Sequence, residues 1–161
     1  MTDSASAGDR RFGFTDAELV AHPTVFGRDL FKDKVVVVSG GGSGIGKAIA
    51  VLFARLGAHL VLCGRKPEKL EAAAALLRGL GTDVDAMAMN IREPDEVGSL
   101  MERVWSRHGR LYVLVNNASG QFAQPALDFT VKGWKAVIDT NLNGTWYMMQ
   151  AAARRWRDRH Q

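Results

Sequence analysis

The run Ser39-Gly40-Gly41-Gly42-Ser43-Gly44-Ile45-Gly46-Lys47 combines residue types and spacing suited to one task, holding the phosphates of a nucleotide. Glycines at a strand-to-helix turn let backbone N–H groups and the positive end of the helix approach a pyrophosphate that side chains would obstruct. The binding role falls on Ser39, Gly40, Gly42, Ser43, Gly44, Ile45 and Gly46. Two other readings compete. A Gly-rich run can be a flexible loop, but Val35-Val36-Val37-Val38 before it suits a strand covered on both faces, and Ile45 to Leu56 after it has helical period. Gly41 to Lys47 also fits the start of a P-loop, yet Ala48 stands where that loop needs a hydroxyl for Mg²⁺.

The spacing Ser39-Gly40-x-x-x-Gly44-x-Gly46 resembles the Thr-Gly-x-x-x-Gly-x-Gly turn of short-chain dehydrogenases/reductases, with Ser39 keeping the hydroxyl. Two further segments occur in the family's order. Asn116-Asn117-Ala118-Ser119-Gly120 follows the apolar run Leu111 to Val115 and is similar to the family's Asn-Asn-Ala-Gly, with Ser119 where glycine is usual. Taken alone, it is also compatible with an ordinary turn at a strand end. Asn141-x-x-Gly144 lies in a long helical pattern and resembles the family's Asn-x-x-Gly, whose asparagine bends the helix and holds a water near the active site. The resemblance implies an α/β fold, a Rossmann-type doubly wound parallel sheet. It also implies a catalytic role for Asn141 and cofactor contacts from Asn117, Ala118 and Ser119. Asn90 and Ile91 follow the third strand, where the family contacts adenine and commonly has an acidic residue in place of Asn90.

In dinucleotide folds an acidic residue at the end of the second strand binds the ribose 2′-hydroxyl and would repel a 2′-phosphate. Here that strand ends Leu62-Cys63-Gly64-Arg65-Lys66, and no carboxylate follows before Glu68. Arg65 and Lys66 therefore point to NADP rather than NAD. A solvated basic turn is the plain alternative, and Ser43 lacks the basic side chain that many NADP-preferring members carry inside the glycine turn.

Positioning these residues requires alternating strands and helices. The periodicity predicts strands at 34–39, 58–63, 84–89 and 111–116, and helices at 44–56, 67–80, 94–108 and 130–158. Pro67 and Pro94 sit at helix starts and Gly57, Gly79, Gly81 and Gly109 near helix ends. Residues 34–161 form the expected dinucleotide-binding domain, with residues 1–33 as an N-terminal extension. In that extension Thr15-Asp16-Ala17-Glu18 matches a capping box, Pro23 should end a short helix, and Phe26, Leu30 and Phe31 should anchor the segment, a partner-binding tail being the alternative.

Composition narrows the partners. With 47% hydrophobic and 24% charged residues, the 161-residue chain suits about one globular domain. Cys63 is the only cysteine, which excludes an internal disulfide and a thiolate-rich zinc site. His22, His59, His108 and His160 share no metal-ligand spacing, so no metal is expected. Much of the net charge of +4 comes from Arg154, Arg155, Arg157 and Arg159, at a helix end where cations complement the dipole; no nucleic-acid partner is expected. The apolar runs fall far short of the roughly 20 residues of a spanning helix. The start Met1-Thr2-Asp3-Ser4 lacks a signal-peptide pattern, so the expected location is cytoplasmic, away from membranes.

Catalysis in the family implies a serine and a Tyr-x-x-x-Lys pair beyond the Asn141 helix. Tyr112 is followed four places later by Asn116 and Tyr147 by Ala151, so no such pair occurs. The expectation is therefore the cofactor-binding, N-terminal part of a longer enzyme, its sheet truncated after about four strands. Its fourth strand would be an exposed edge, and homo-oligomers would form through the last helix or that edge. The lead-in Phe26 to Phe31 and Gly120-Gln121-Phe122 resemble enoyl- and 2,4-dienoyl-CoA reductases and related citronellol-type dehydrogenases. That resemblance implies an NADP(H)-dependent oxidoreductase acting on a small molecule, an acyl-CoA ester among the candidates. The alternative is a non-catalytic nucleotide-binding or interaction fragment.

Overall fold

Consecutive residues of a strand face opposite sides of its sheet, so four valines in a row need cover on both. The computed structural model, which describes residues 13–159, provides it. The readings placed on Met1-Thr2-Asp3-Ser4 and on His160 lie outside the described residues. Strand β1 (Val35–Ser39) sits between β2 (His59–Gly64) and β4 (Val113–Val115), and β3 (Val84–Ala88) pairs with β2. The resulting parallel sheet has the order β3-β2-β1-β4. The register sets Val35 beside His59, Val36 beside Val113 and Leu60 beside Val84.

Helices α2 (Gly44–Arg55) and α3 (Pro67–Gly79) cover one face; α4 (Pro94–His108) and α6 (Thr145–Asp158) cover the other. Val36 and Val38 pack with Ala50, Val51, Leu70 and Leu77, whereas Val35 and Val37 pack with Leu100, Val104, Trp105 and Met148. This is the doubly wound α/β arrangement the sequence implies. Pro67 and Pro94 open their helices, and Gly109 closes α4 in the left-handed conformation. Among the described residues no helix is long and apolar enough to cross a membrane, and no group of three or more potential ligands is placed to hold a metal ion.

The short helix α1 (Asp16–Ala21) starts with the expected capping box, Thr15 and Glu18 bonding each other's backbone N–H, and ends before Pro23. It rests on α2 through a Lys47–Asp16 ion pair and through Leu19 and Val20 at the rim of the core. Phe31 also packs there, edge-on to Phe53 at 4.8 Å between centroids, while Phe26 and Leu30 remain about half exposed.

Three elements depart from expectation. The helix foreseen over 130–158 is instead α5 (Val131–Ile138), a π-helical turn (Asp139–Gly144) and α6, with helical backbone angles at Ile138, Gly144 and Thr145. Close contact explains the irregularity: a Cβ on Gly144 would stand 2.8 Å from the Ile91 side chain, so this turn is pressed onto the loop after β3. Strand β4 is shorter than 111–116: its ladder with β1 spans Val113 to Val115, and Asn117 turns out of it to bond Ser39. A 3₁₀ turn at Ala126–Asp128 had no periodic signal. Asp85 was also unforeseen: buried in β3, it is held to α4 by Arg107, with His108 Nε2 3.4 Å away.

Cys63 lies wholly buried near the carboxyl end of β2, and burial raises its thiol from 9.0 to about 12. Native protein should therefore resist thiol-specific disulfide reagents at mildly alkaline pH and react fully once denatured. Above pH 9.0 the unfolded chain releases a proton that the native chain keeps until about 12, so this group makes stability fall as pH rises through that window. Denaturant titrations of wild type and Cys63→Ala across that window should show a steeper decline in wild type.

Candidate functional site

Ser39 and Asn117 join the two sequence motifs into one structure. The buried Ser39 hydroxyl donates to the Val115 carbonyl at 3.2 Å and accepts from the N–H groups of Asn117 and Ala118, each at 3.0 Å. The Asn117 side-chain amide donates back to the Ser39 carbonyl at 3.0 Å and lies 3.4 Å from that of Gly40. Gly46 completes the junction. A Cβ there would collide with the Gly40 carbonyl oxygen and stand 2.5 Å from Asn117 Nδ2, so only glycine lets the first turn of α2 come this close.

Above this junction opens a cleft of about 530 Å³ at the carboxyl ends of the strands. The structure brings to it Gly40, Gly42, Ser43, Gly44, Ile45 and Gly46 from the glycine turn, Arg65 and Lys66 after β2, Asn90 and Ile91 after β3, and Asn117, Ala118 and Ser119 after β4. Ser39 lies beneath the cleft and shapes its floor. No side chain caps the N-terminus of α2 at Ser43, so the positive end of that helix faces the cleft without an internal acceptor. Ile45 projects into solvent at the lip, 75% exposed. Arg65 and Lys66 are exposed, and among the described residues neither has an ion-pair partner. The Asn90 carbonyl oxygen of the side chain accepts from the Arg92 backbone and guanidinium, both at 3.3 Å, which orients it within its own loop.

Asn141 does not line the cleft. Its amide forms two reciprocal bonds with Gly120, donating to the carbonyl and accepting from the N–H, each at 2.9 Å. This clamp ties the π turn to the loop after β4. Neighbouring Thr140 lines the cleft instead, and with Gly64, Lys69, Leu70 and Met89 it was missed from sequence. Lys69 carried a usable signal, being one helical turn beyond Lys66, whereas Thr140 is brought in by tertiary packing alone.

The glycine turn, the uncapped end of α2 and the exposed cations Arg65 and Lys66 thus share one cleft. Residues 34–161 match the family model for short chain dehydrogenases, and the chain belongs to that family. It is 41% identical over 128 residues to a probable 2,4-dienoyl-CoA reductase of Bacillus subtilis, covering 80% of this chain and 50% of that protein. A peroxisomal 2,4-dienoyl-CoA reductase of Mus musculus is 37% identical over 122 residues, with 75% and 42% coverage. Among solved structures, a citronellol catabolism dehydrogenase of Pseudomonas aeruginosa superposes with a TM-score of 0.78 at 37% identity, over 81% of this chain and 54% of that one. The chain thus spans about half the length of these relatives.

Ser39→Ala would leave the Asn117 and Ala118 N–H groups without their acceptor, and it should cost about 1–3 kcal/mol in urea unfolding. Gly46→Ala should go further, displacing α2 from the glycine turn and abolishing nucleotide binding in an equilibrium titration even where circular dichroism shows retained helix.

Proposed function

We propose that this chain is the cofactor-binding half of an NADP(H)-dependent oxidoreductase. The observation that carries the reading is the pair Arg65 and Lys66, exposed and among the described residues without ion partners, on the same cleft as the uncapped α2 turn. A pyrophosphate over Gly42 to Gly46 sets its ribose toward the end of β2, where a 2′-phosphate would meet the Arg65 fork and no carboxylate. Ile91 and Met89 supply apolar contact for adenine, and Asn90 a polar edge. Asn117, Ala118 and Ser119 form the wall toward the nicotinamide. When bound, the cofactor supplies the hydride.

The domain boundary falls at 33/34 in this reading, with α1 as a strut on α2. Asn141 is assigned to the active site as the residue that fixes the loop after β4 through Gly120. The serine and Tyr-x-x-x-Lys pair that the family resemblance requires do not occur within these 161 residues. On this reading another stretch of polypeptide would have to supply them. The named relatives support an enoyl- or dienoyl-CoA ester as the parent's substrate. The exposed apolar residues Trp134, Leu142, Trp146 and Met149 support self-association along α5, the π turn and α6, and a cytoplasmic location completes the reading. The missing pair also favours a second reading, a nucleotide-binding fragment without catalysis of its own.

Equilibrium titration of the purified chain with both cofactors tests the proposal: NADPH should bind more tightly than NADH, Arg65→Gln should remove most of the difference, and tighter NADH binding would refute it. The same preparation mixed with NADPH and a 2,4-dienoyl-CoA should show no turnover at enzymatic rates; turnover would show that this half carries its own proton donor.

A further inference from the structure

Lys69 is the cleft cation that neither the family motifs nor the glycine turn accounts for. It lies in the first turn of α3, exposed, on the cleft wall, and among the described residues it has no ion-pair partner. Its position is tightly defined. A Cβ on Gly42 would stand 3.0 Å from the Lys69 backbone carbonyl carbon and 3.2 Å from its Cβ, so α3 packs directly against the glycine turn. Leu70, 2% exposed, anchors the same helical turn in the core. The flexible side chain therefore starts between the turn that cradles phosphate and the Arg65-Lys66 corner.

The charge around it is one-sided. Arg65, Lys66 and Lys69 reach the cleft, whereas Glu68 does not line it and Glu71 is paired with Arg78. A pyrophosphate already has the glycine-turn N–H groups and the end of α2. A dianionic phosphate on the ribose has no such backbone partners, and its three oxygens exceed what one guanidinium fork can serve. The ammonium of Lys69 supplies a point charge at that place.

We infer that Lys69 is a specificity-determining residue that, with Arg65, binds the 2′-phosphate of the cofactor's ribose, and not the pyrophosphate. The inference rests on the NADP reading above. Adenosine 2′,5′-bisphosphate and 5′-AMP are the probes, because they differ only in the 2′-phosphate. Lys69→Gln should weaken the bisphosphate about tenfold or more, the usual range for losing one charge-assisted bond, with 5′-AMP unchanged. Lys69→Arg should restore most of the loss, which a structural role for the stem would not require. Equal weakening of both probes would place Lys69 on the 5′-phosphate side and overturn the inference, as would no change in either. If wild type itself does not prefer the bisphosphate, the NADP reading fails and the inference falls with it. If wild type prefers it and Lys69→Gln keeps that preference, the inference alone fails.

Discussion

One buried hydroxyl governs the geometry of the cleft. Ser39 ends the central strand, and its Oγ serves three partners at once, the Val115 carbonyl and the N–H groups of Asn117 and Ala118. Strand pairing between β1 and β4 runs out at Val38 and Val115. Beyond that point the side chains of Ser39 and Asn117 continue the connection, so two chain segments far apart in sequence leave the sheet together. The void at Gly46 lets α2 close onto the same spot. Without the hydroxyl, the two walls of the cleft would keep only the Asn117 side-chain bonds to the Ser39 and Gly40 carbonyls beyond the end of the ladder.

The remaining elements act through this junction. The valine run supplies a rigid strand because its alternating faces feed two separate cores, one under α2 and α3 and one under α4 and α6. On the second face, Trp156 donates to the Leu111 carbonyl at 2.6 Å and Arg155 bonds Glu102, tying α6 to the start of β4 and to α4. The hydrogen bond from Arg155, more than its charge, holds the Glu102 carboxyl below its ordinary range. Such exposed ion pairs add little stability individually, and it is the buried Met148 and Ala152 that seat α6 on the sheet.

Much of this was legible because local and long-range signals agree. Val35 to Val38, the prolines at 67 and 94 and the capping box at Thr15 each act within a few residues, and the structure keeps them all. The glycine and Asn-Asn-Ala motifs were visible as types, though the bond that joins Ser39 to Asn117 crosses 78 residues and leaves no periodic trace. Helical period cannot reveal a π turn, since the extra residue at Asp139–Gly144 depends on Ile91 lying beneath it. Thr140 entered the cleft for the same reason. Asp85 shows another limit: an acidic residue inside a strand reads as an outward-facing position until Arg107 and His108 are seen to meet it.

Strand β4 is three residues long and has a neighbour on one side only among the described residues, yet it carries the whole Asn117–Ser119 wall. The opposite wall hangs from β1, which is paired on both sides. The cleft is thus built between a strand paired on both flanks and one paired, among the described residues, on a single flank. A ligand bridging the two walls would pay in affinity for any ordering of β4, and in return it would stabilise the chain by binding only the assembled cleft. Occupancy of the cleft and stability of the fold would thereby be coupled, at the place where the sheet pairs over three positions instead of five.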